Sequence, residues 1–173
     1  MPDATGLELI ARRLRKQIGA RAVVATSFLR GQATLELRAP AVGDALRFLH
    51  DDSQEPFDFL ASLHGCDYFP EEPRLGVHYQ LLSRERAERL GVRTRLRVEA
   101  AEVPSVVDLY PGADFQEREV YDFFGINFAG HPDLRRILMP EDYQGHPQRR
   151  DFPIGGEPVL FTHNEHKLPR WYE

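Results

Sequence analysis

The sequence predicts an α+β domain: a small mixed or antiparallel sheet with helices packed on one face, plus an extended irregular C-terminal strap. Three observations carry that expectation. Apolar residues recur at helical spacing near the N-terminus, five β-prone runs follow between residues 21 and 100, and after Gly125 neither period continues. A chain of 173 residues with 42% hydrophobic and 28% charged residues has enough apolar surface for one buried core of this kind.

Leu7, Ile10, Ala11, Leu14 and Ile18 line one face of a helix over residues 6–18, which Gly19 ends. RAVVATSFL (21–29) and QATLELRA (32–39) flank Arg30-Gly31 and read as a hairpin. AVGDALRFLH, after Pro40, reads as a second helix, and a strand is centred on residues 60–66. LGVHYQLLS (75–83) and VRTRLRVEA (92–100) are two more strands. In the second, Val92, Thr94, Leu96 and Val98 face one way while Arg93, Arg95, Arg97 and Glu99 face the other, the pattern of a sheet with one covered face. Two short helices complete the domain, SVVDLY (105–110) and ADFQEREVYDFF (113–124), with Gly125 placed as the residue just beyond the second.

Residues 1–124 are thus the expected domain and 125–173 the strap. The stretch 125–171 holds six of the 13 prolines and five of the 13 glycines, so its regular elements must be short. It is nevertheless apolar, with Ile126, Phe128, Leu134, Ile137, Leu138, Met139, Phe152 and others. Fixing an irregular backbone costs about 1–2 kcal/mol per residue, and such a segment recovers little of that through internal hydrogen bonds. Its apolar side chains must lie against another surface, and a partner protein is the expected one. A C-terminal third sensitive to protease in the isolated protein follows from the same reasoning.

Composition excludes several classes of function. A net charge of −5 argues against a dedicated nucleic-acid binder. Neither a membrane-spanning apolar run nor a secretory leader is legible, which places the protein on the cytosolic side. The single cysteine, Cys66, permits no internal disulfide and cannot by itself ligate an iron–sulfur cluster. Gly-His-Pro occurs twice, at His131-Pro132 and His146-Pro147, and with His163 and His166 could suggest a metal site, but the spacing fits no metal pattern. The Arg135-Arg136 and Arg149-Arg150 pairs are interleaved with Asp133, Glu141, Asp142 and Asp151, which suits carboxylate pairing better than phosphate binding. Cys66 and His64 could share a strand face, but a buried free cysteine is ordinarily inert. Glu117, Glu119 and Asp122, with Asp114 one turn earlier, read as an ion-paired helix that packs on the arginine-bearing segment.

The stretch DFQEREVYDFFGINFAGHPDLRRILMPEDYQGHPQRRDFPIG resembles the signature region of the C subunit of the respiratory NADH-quinone oxidoreductase, bacterial complex I. The matching residues are Glu117-Arg118-Glu119, Tyr121-Asp122, Phe124-Gly125, His131-Pro132, Leu134 to Leu138 with Arg135 and Arg136, Gly145-His146-Pro147, and Arg149-Arg150-Asp151 with Pro153. The resemblance implies a non-catalytic peripheral-arm subunit, with no cofactor on this chain and FMN and iron–sulfur clusters on partner subunits. It implies contact through the strap with the quinone-site D subunit and adjacent iron–sulfur subunits, in a complex that couples electron transfer from NADH to quinone with proton translocation. Membrane association would be indirect and peripheral, on the cytoplasmic face of the inner membrane. Two alternatives stay open here: the homologous subunit of a membrane-bound hydrogenase or a ferredoxin-quinone oxidoreductase, and a stand-alone metal-dependent hydrolase using His131 and His146.

Overall fold

The computed structural model describes residues 2–52 and 56–153. Helix α1 (Ala4–Ile18) starts where the Asp3 carboxylate accepts the Gly6 amide at 2.7 Å and ends at Gly19, with Arg15 and Lys16 set favourably against the helix dipole. Strands β1 (Val23–Leu29) and β2 (Gln32–Leu37) form the expected hairpin. Both turn residues, Arg30 and Gly31, have positive φ (52° and 79°), the geometry whose twist matches a two-residue hairpin. Helix α2 (Val42–His50) is followed by β3 (Phe59–Asp67), β4 (Leu75–Ser83) and β5 (Glu88–Leu96).

The five strands make one mixed sheet in the order β1-β2-β5-β4-β3, with β2 and β5 parallel and the other neighbours antiparallel. Leu35, Leu37, Val77, Tyr79, Leu81 and Val92 point into a core closed by Leu7 and Leu14 of α1 and by Ala45, Leu46 and Leu49 of α2. The opposite face is polar and only partly covered; there Arg93 pairs with Glu36 and the His64 ring stacks on His78 at 5.2 Å. The α+β expectation is met.

Two expected elements differ. Strand β5 begins four residues early and stops at Leu96; Val92, Thr94 and Leu96 are buried as anticipated, but Val98 to Ala100 form a single tight turn. No helix forms over 105–110 either. The Val106 carbonyl accepts both the Leu109 and Tyr110 amides, closing one turn, and Pro111 then offers no amide to continue it. A two-stranded parallel sheet of β6 (Glu102–Pro104) and β7 (Asn127–Ala129) has no counterpart in the sequence pattern. Through β7 the backbone beyond Gly125 first joins the main core, with Ile126 and Phe128 buried.

Helix α3 (Ala113–Phe124) packs on β3, and its Gln116 side chain accepts the Leu63 amide at that edge. Close approach is possible because β3 carries Gly65 there: a Cβ at that position would stand 2.4 Å from the Phe124 ring. Gly65→Ala is therefore expected to cost about 1–3 kcal/mol through overpacking, read as a lower urea midpoint with an unchanged slope. A wild-type midpoint would show that α3 can lift from the sheet freely.

Candidate functional site

Helix α3 is the post around which the strap is fastened, and the buried groups belong to its two carboxylates. Glu117 is fully buried. One of its oxygens accepts the Val106 amide at 2.8 Å and the other the Ser105 hydroxyl at 2.7 Å, so it anchors the turn that replaces the expected helix. Burial pushes its pKa up, against the opposing pull of those two donors and of His131. Raised carboxyl pKa means that stability from this group is present below about pH 4 and declines as pH climbs through the folded value. Glu117→Gln keeps an acceptor for Val106 and carries no charge. We expect it to gain on the wild type between pH 4 and 7, while Glu117→Ala, which strands two donors, loses about 2–3 kcal/mol. Parallel pH-dependent denaturation curves for the two proteins would not bear this out.

Asp122 is also fully buried, and its surroundings are the opposite. Its Oδ2 accepts three consecutive strap amides, Ile137 (3.1 Å), Leu138 (2.8 Å) and Met139 (2.8 Å), while Oδ1 accepts from Arg136 at 2.7 Å. Burial alone would raise its pKa, but the amides of Met139 and Leu138, the Arg136 guanidinium and the Ile137 amide outweigh it and hold the carboxyl below its usual range.

Arginines complete the fastening, mostly through backbone carbonyls. Arg118 donates to the carbonyls of Arg135 and Arg136, both at 3.2 Å. Arg136 donates, besides its bond to Asp122, to the carbonyls of Tyr143 and Gly145 at 2.9 Å. Arg149 donates to the Phe124 carbonyl at 2.6 Å. At the far end Arg74 makes forked bonds to both Asp67 and Asp151, and Arg150 donates its amide to Asp67 and its side chain to the Phe69 carbonyl. The Arg74 bonds, above all, hold the Asp67 carboxyl far below the ordinary range.

The two Gly-His-Pro histidines meet α3 at opposite ends, at the Asp114 and Asp122 carbonyls, which helical rise sets about 12 Å apart. The His131 side chain is fully covered; its Nδ1 accepts the Asp133 amide at 3.0 Å, which leaves Nε2 as the protonated nitrogen, 3.3 Å from the Asp114 carbonyl and carboxylate. His146 donates from Nδ1 to the Asp122 carbonyl at 2.9 Å, and burial lowers its pKa. Among the described residues no three His, Cys, Asp or Glu side chains converge as metal ligands; His163 and His166 lie outside those residues.

Of the other signature residues, Glu119, Pro132 and Arg135 stand exposed, Arg135 beside Asp133 at 2.9 Å, an open ion pair worth little. Pro147 is half-buried, and Gly125 closes α3 in the left-handed conformation. The structure thus brings together Glu117, Arg118, Asp122, Arg136, His146 and Arg149 around one helix. Arg74 and Asp67 escape sequence reasoning because six residues of turn separate them and neither belongs to a periodic run. Cys66 is a free, half-buried thiol, and the ring beside His64 is His78.

The geometry is that of a clasp, with polar groups turned inward to α3 and apolar side chains such as Phe115 (62% exposed) and Leu138 (60% exposed) turned out. A family model described as the respiratory-chain NADH dehydrogenase 30 Kd subunit matches residues 35–158, a span that includes the whole clasp. The chain belongs to that family. The NADH-quinone oxidoreductase C subunit of Roseiflexus sp. (strain RS-1) is 42% identical over 168 residues, covering 97% of this chain and 94% of the relative. The C subunit of Herpetosiphon aurantiacus is 48% identical over 118 residues, 68% of this chain and 69% of that one. Among solved structures, a trypsin-resistant fragment (1-134) of Nqo5 superposes with a TM-score of 0.57 at 30% identity, over 74% of this chain and 98% of that one. A component of the membrane-bound sulfane sulfur reductase, an archaeal respiratory membrane complex, gives a TM-score of 0.66 at 25% identity over 85% of both. Among the described residues no helix is long and apolar enough to cross a membrane.

Proposed function

We propose that this chain is a non-catalytic assembly subunit in the peripheral arm of a proton-translocating NADH-quinone oxidoreductase, at the cytoplasmic face of the inner membrane. FMN and the iron–sulfur clusters are carried by other subunits, and the strap grips the quinone-site D subunit and adjacent iron–sulfur subunits. The observation that carries this reading is a near end-to-end match to a relative named as the C subunit of NADH-quinone oxidoreductase. The clasp supports it: buried charge holds the strap inward on α3, while Leu138 of the strap and Phe115 of α3 stand exposed as apolar surface for a partner. Purification of the tagged chain from native membranes in mild detergent is expected to bring down flavin- and NADH-binding subunits. A nickel-bearing large subunit, or none of these, would overturn it, and stoichiometric zinc in the isolated protein would favour the hydrolase using His131 and His146.

The likeness to a component of an archaeal respiratory membrane complex that is a sulfane sulfur reductase favours a second reading, the same structural part in a membrane complex other than an NADH-quinone oxidoreductase. The same purification separates the two by the donor subunits that appear. Within the first reading, Arg149→Ala is expected to lower the assembled complex several-fold while the assembled remainder turns over normally. Intact complex with slow turnover would instead assign Arg149 a part in quinone chemistry. The trypsin resistance of the Nqo5 fragment supports a further expectation: trypsin trims the isolated protein beyond the α+β domain, toward its C-terminus, and trims the assembled protein more slowly.

A further inference from the structure

The sheet has two edges, and they are treated differently. The β3 edge is covered by α3, whose Gln116 takes up the Leu63 amide. The β1 edge pairs with nothing among the described residues. Strand β1 reads VVATSFL, seven residues with no charge and no proline, and its one irregularity lies between Val23 and Ala25. From Ala25 to Leu29 the pairing with β2 is unbroken, so the outer row of amides and carbonyls is regular and open. Edge strands are ordinarily guarded by lysine, proline, shortness or bulging, and this stretch has none of these. Strand β1 instead exposes Val24 (54%), at its irregularity, and Phe28 (45%) and Leu29 (67%) in the regular stretch.

Where β1 begins, a groove of about 720 Å³ opens, lined by Val24, Leu37 and Pro40 and rimmed by Arg21, Arg38 and Arg97. None of these three guanidinium groups has a hydrogen-bond or ion-pair partner among the described residues, unlike Arg93, which pairs with Glu36 nearby. Unanswered positive charge concentrated here, on a chain of net charge −5, calls for carboxylates.

Resting on the reading of this chain as a subunit, we propose that β1 is a docking edge for an extended, acidic strand of a partner subunit. The strand continues the five-stranded sheet through backbone hydrogen bonds, and where it passes the start of β1 its acidic end turns across the end of the sheet toward Arg21, Arg38 and Arg97. Only a polypeptide answers the open backbone row, which separates this site from one for a phosphate or a lipid. A second copy of this chain does not answer it, because β1 carries no carboxylate and is flanked by Arg21 and Arg30.

Hydrogen exchange over residues 23–29 tests the proposal, with the isolated protein compared against the purified assembled complex. We expect exchange to slow at least tenfold on assembly, and the Arg38→Glu/Arg97→Glu double variant to abolish that slowing while its thermal melt in isolation stays unchanged. Equal exchange in both states overturns the proposal. So does slowing that survives the charge reversal, since the occupant would then not be acidic. A dimer of the isolated protein with β1 already protected overturns it in favour of a second copy. If the tagged wild-type protein co-purifies with no complex, the subunit reading fails and this proposal, which rests on it, falls with it, whereas a complex with unchanged exchange at residues 23–29 sinks the proposal alone.

Discussion

Asp122→Ala is expected to lose about 3–5 kcal/mol of folding stability, the largest effect of any single substitution here. Four donors converge on this carboxylate, three of them backbone amides that no rotamer change can turn away. Its removal leaves the Arg136 charge half-buried without its counterion and the amides of Ile137, Leu138 and Met139 facing an apolar methyl. Arg136 also organises the carbonyls of Tyr143 and Gly145, so the loss spreads to the second turn of the strap. Urea denaturation followed by circular dichroism measures the cost. A loss under 1 kcal/mol would mean that the strap contributes nothing to the cooperative fold.

The same carboxylate sets an acid limit. Because the folded pKa of Asp122 lies below its unfolded value, its contribution is complete above about pH 4 and is lost as pH falls through the folded pKa. Asp67 and Asp151 are depressed in the same direction, chiefly by hydrogen bonds from Arg74. Wild type and Asp122→Asn should therefore differ most near neutrality and converge in acid. Glu117, one face of the same helix away, has the opposite sign. Two buried carboxylates five residues apart thus answer pH differently because one is met by four donors and the other by two.

Which features could be read in the sequence depended on whether their cause was local. The hairpin was legible because Arg30-Gly31 sits between two β-prone runs, and the inward set of β5 because Val92, Thr94 and Leu96 alternate with arginines. The end of α3 was legible because glycine alone takes the left-handed position without strain. Strands β6 and β7, three residues each, are too short to show a period, and they exist only because each supplies the other's hydrogen bonds. SVVDLY looked helical by composition, yet its conformation is dictated by Glu117, eleven residues downstream of Val106. The strap was expected to lie against a partner, whereas residues 131–151 find much of their surface on α3 and at the β3–β4 end of their own chain. Arginine forks reaching backbone carbonyls leave no sequence pattern, which is why Arg136 and Arg149 suggested carboxylate pairing and proved to bind mostly peptide oxygens.

Gly125→Ala is expected to be nearly as damaging as the loss of Asp122, for two separable reasons. At φ 69° and ψ 32° any residue with a Cβ bears a backbone penalty of about 1–2 kcal/mol. The Cβ itself would stand 2.4 Å from His146 Nε2 and 2.7 Å from Arg149 Nη2, so both side chains must move. Those side chains donate to the carbonyls of Asp122 and Phe124, in the last turn of α3, where no further helical amide is available to accept from. Displacing them forfeits two bonds worth about 1 kcal/mol each and the attraction of a guanidinium for the negative helix end. The backbone penalty and the two bonds together come to about 3–4 kcal/mol. Gly125→Asn divides it, because asparagine tolerates the left-handed region but brings the same Cβ: the difference between the two variants is the backbone part, and the remainder is the clash. An NMR titration of His146 supplies a readout that simple destabilisation does not. Burial now holds its pKa down, and expulsion by the new Cβ should return it toward the ordinary histidine value. A Gly125→Ala protein with a wild-type urea midpoint and an unmoved His146 titration would show that the clasp does not depend on contact at the end of α3.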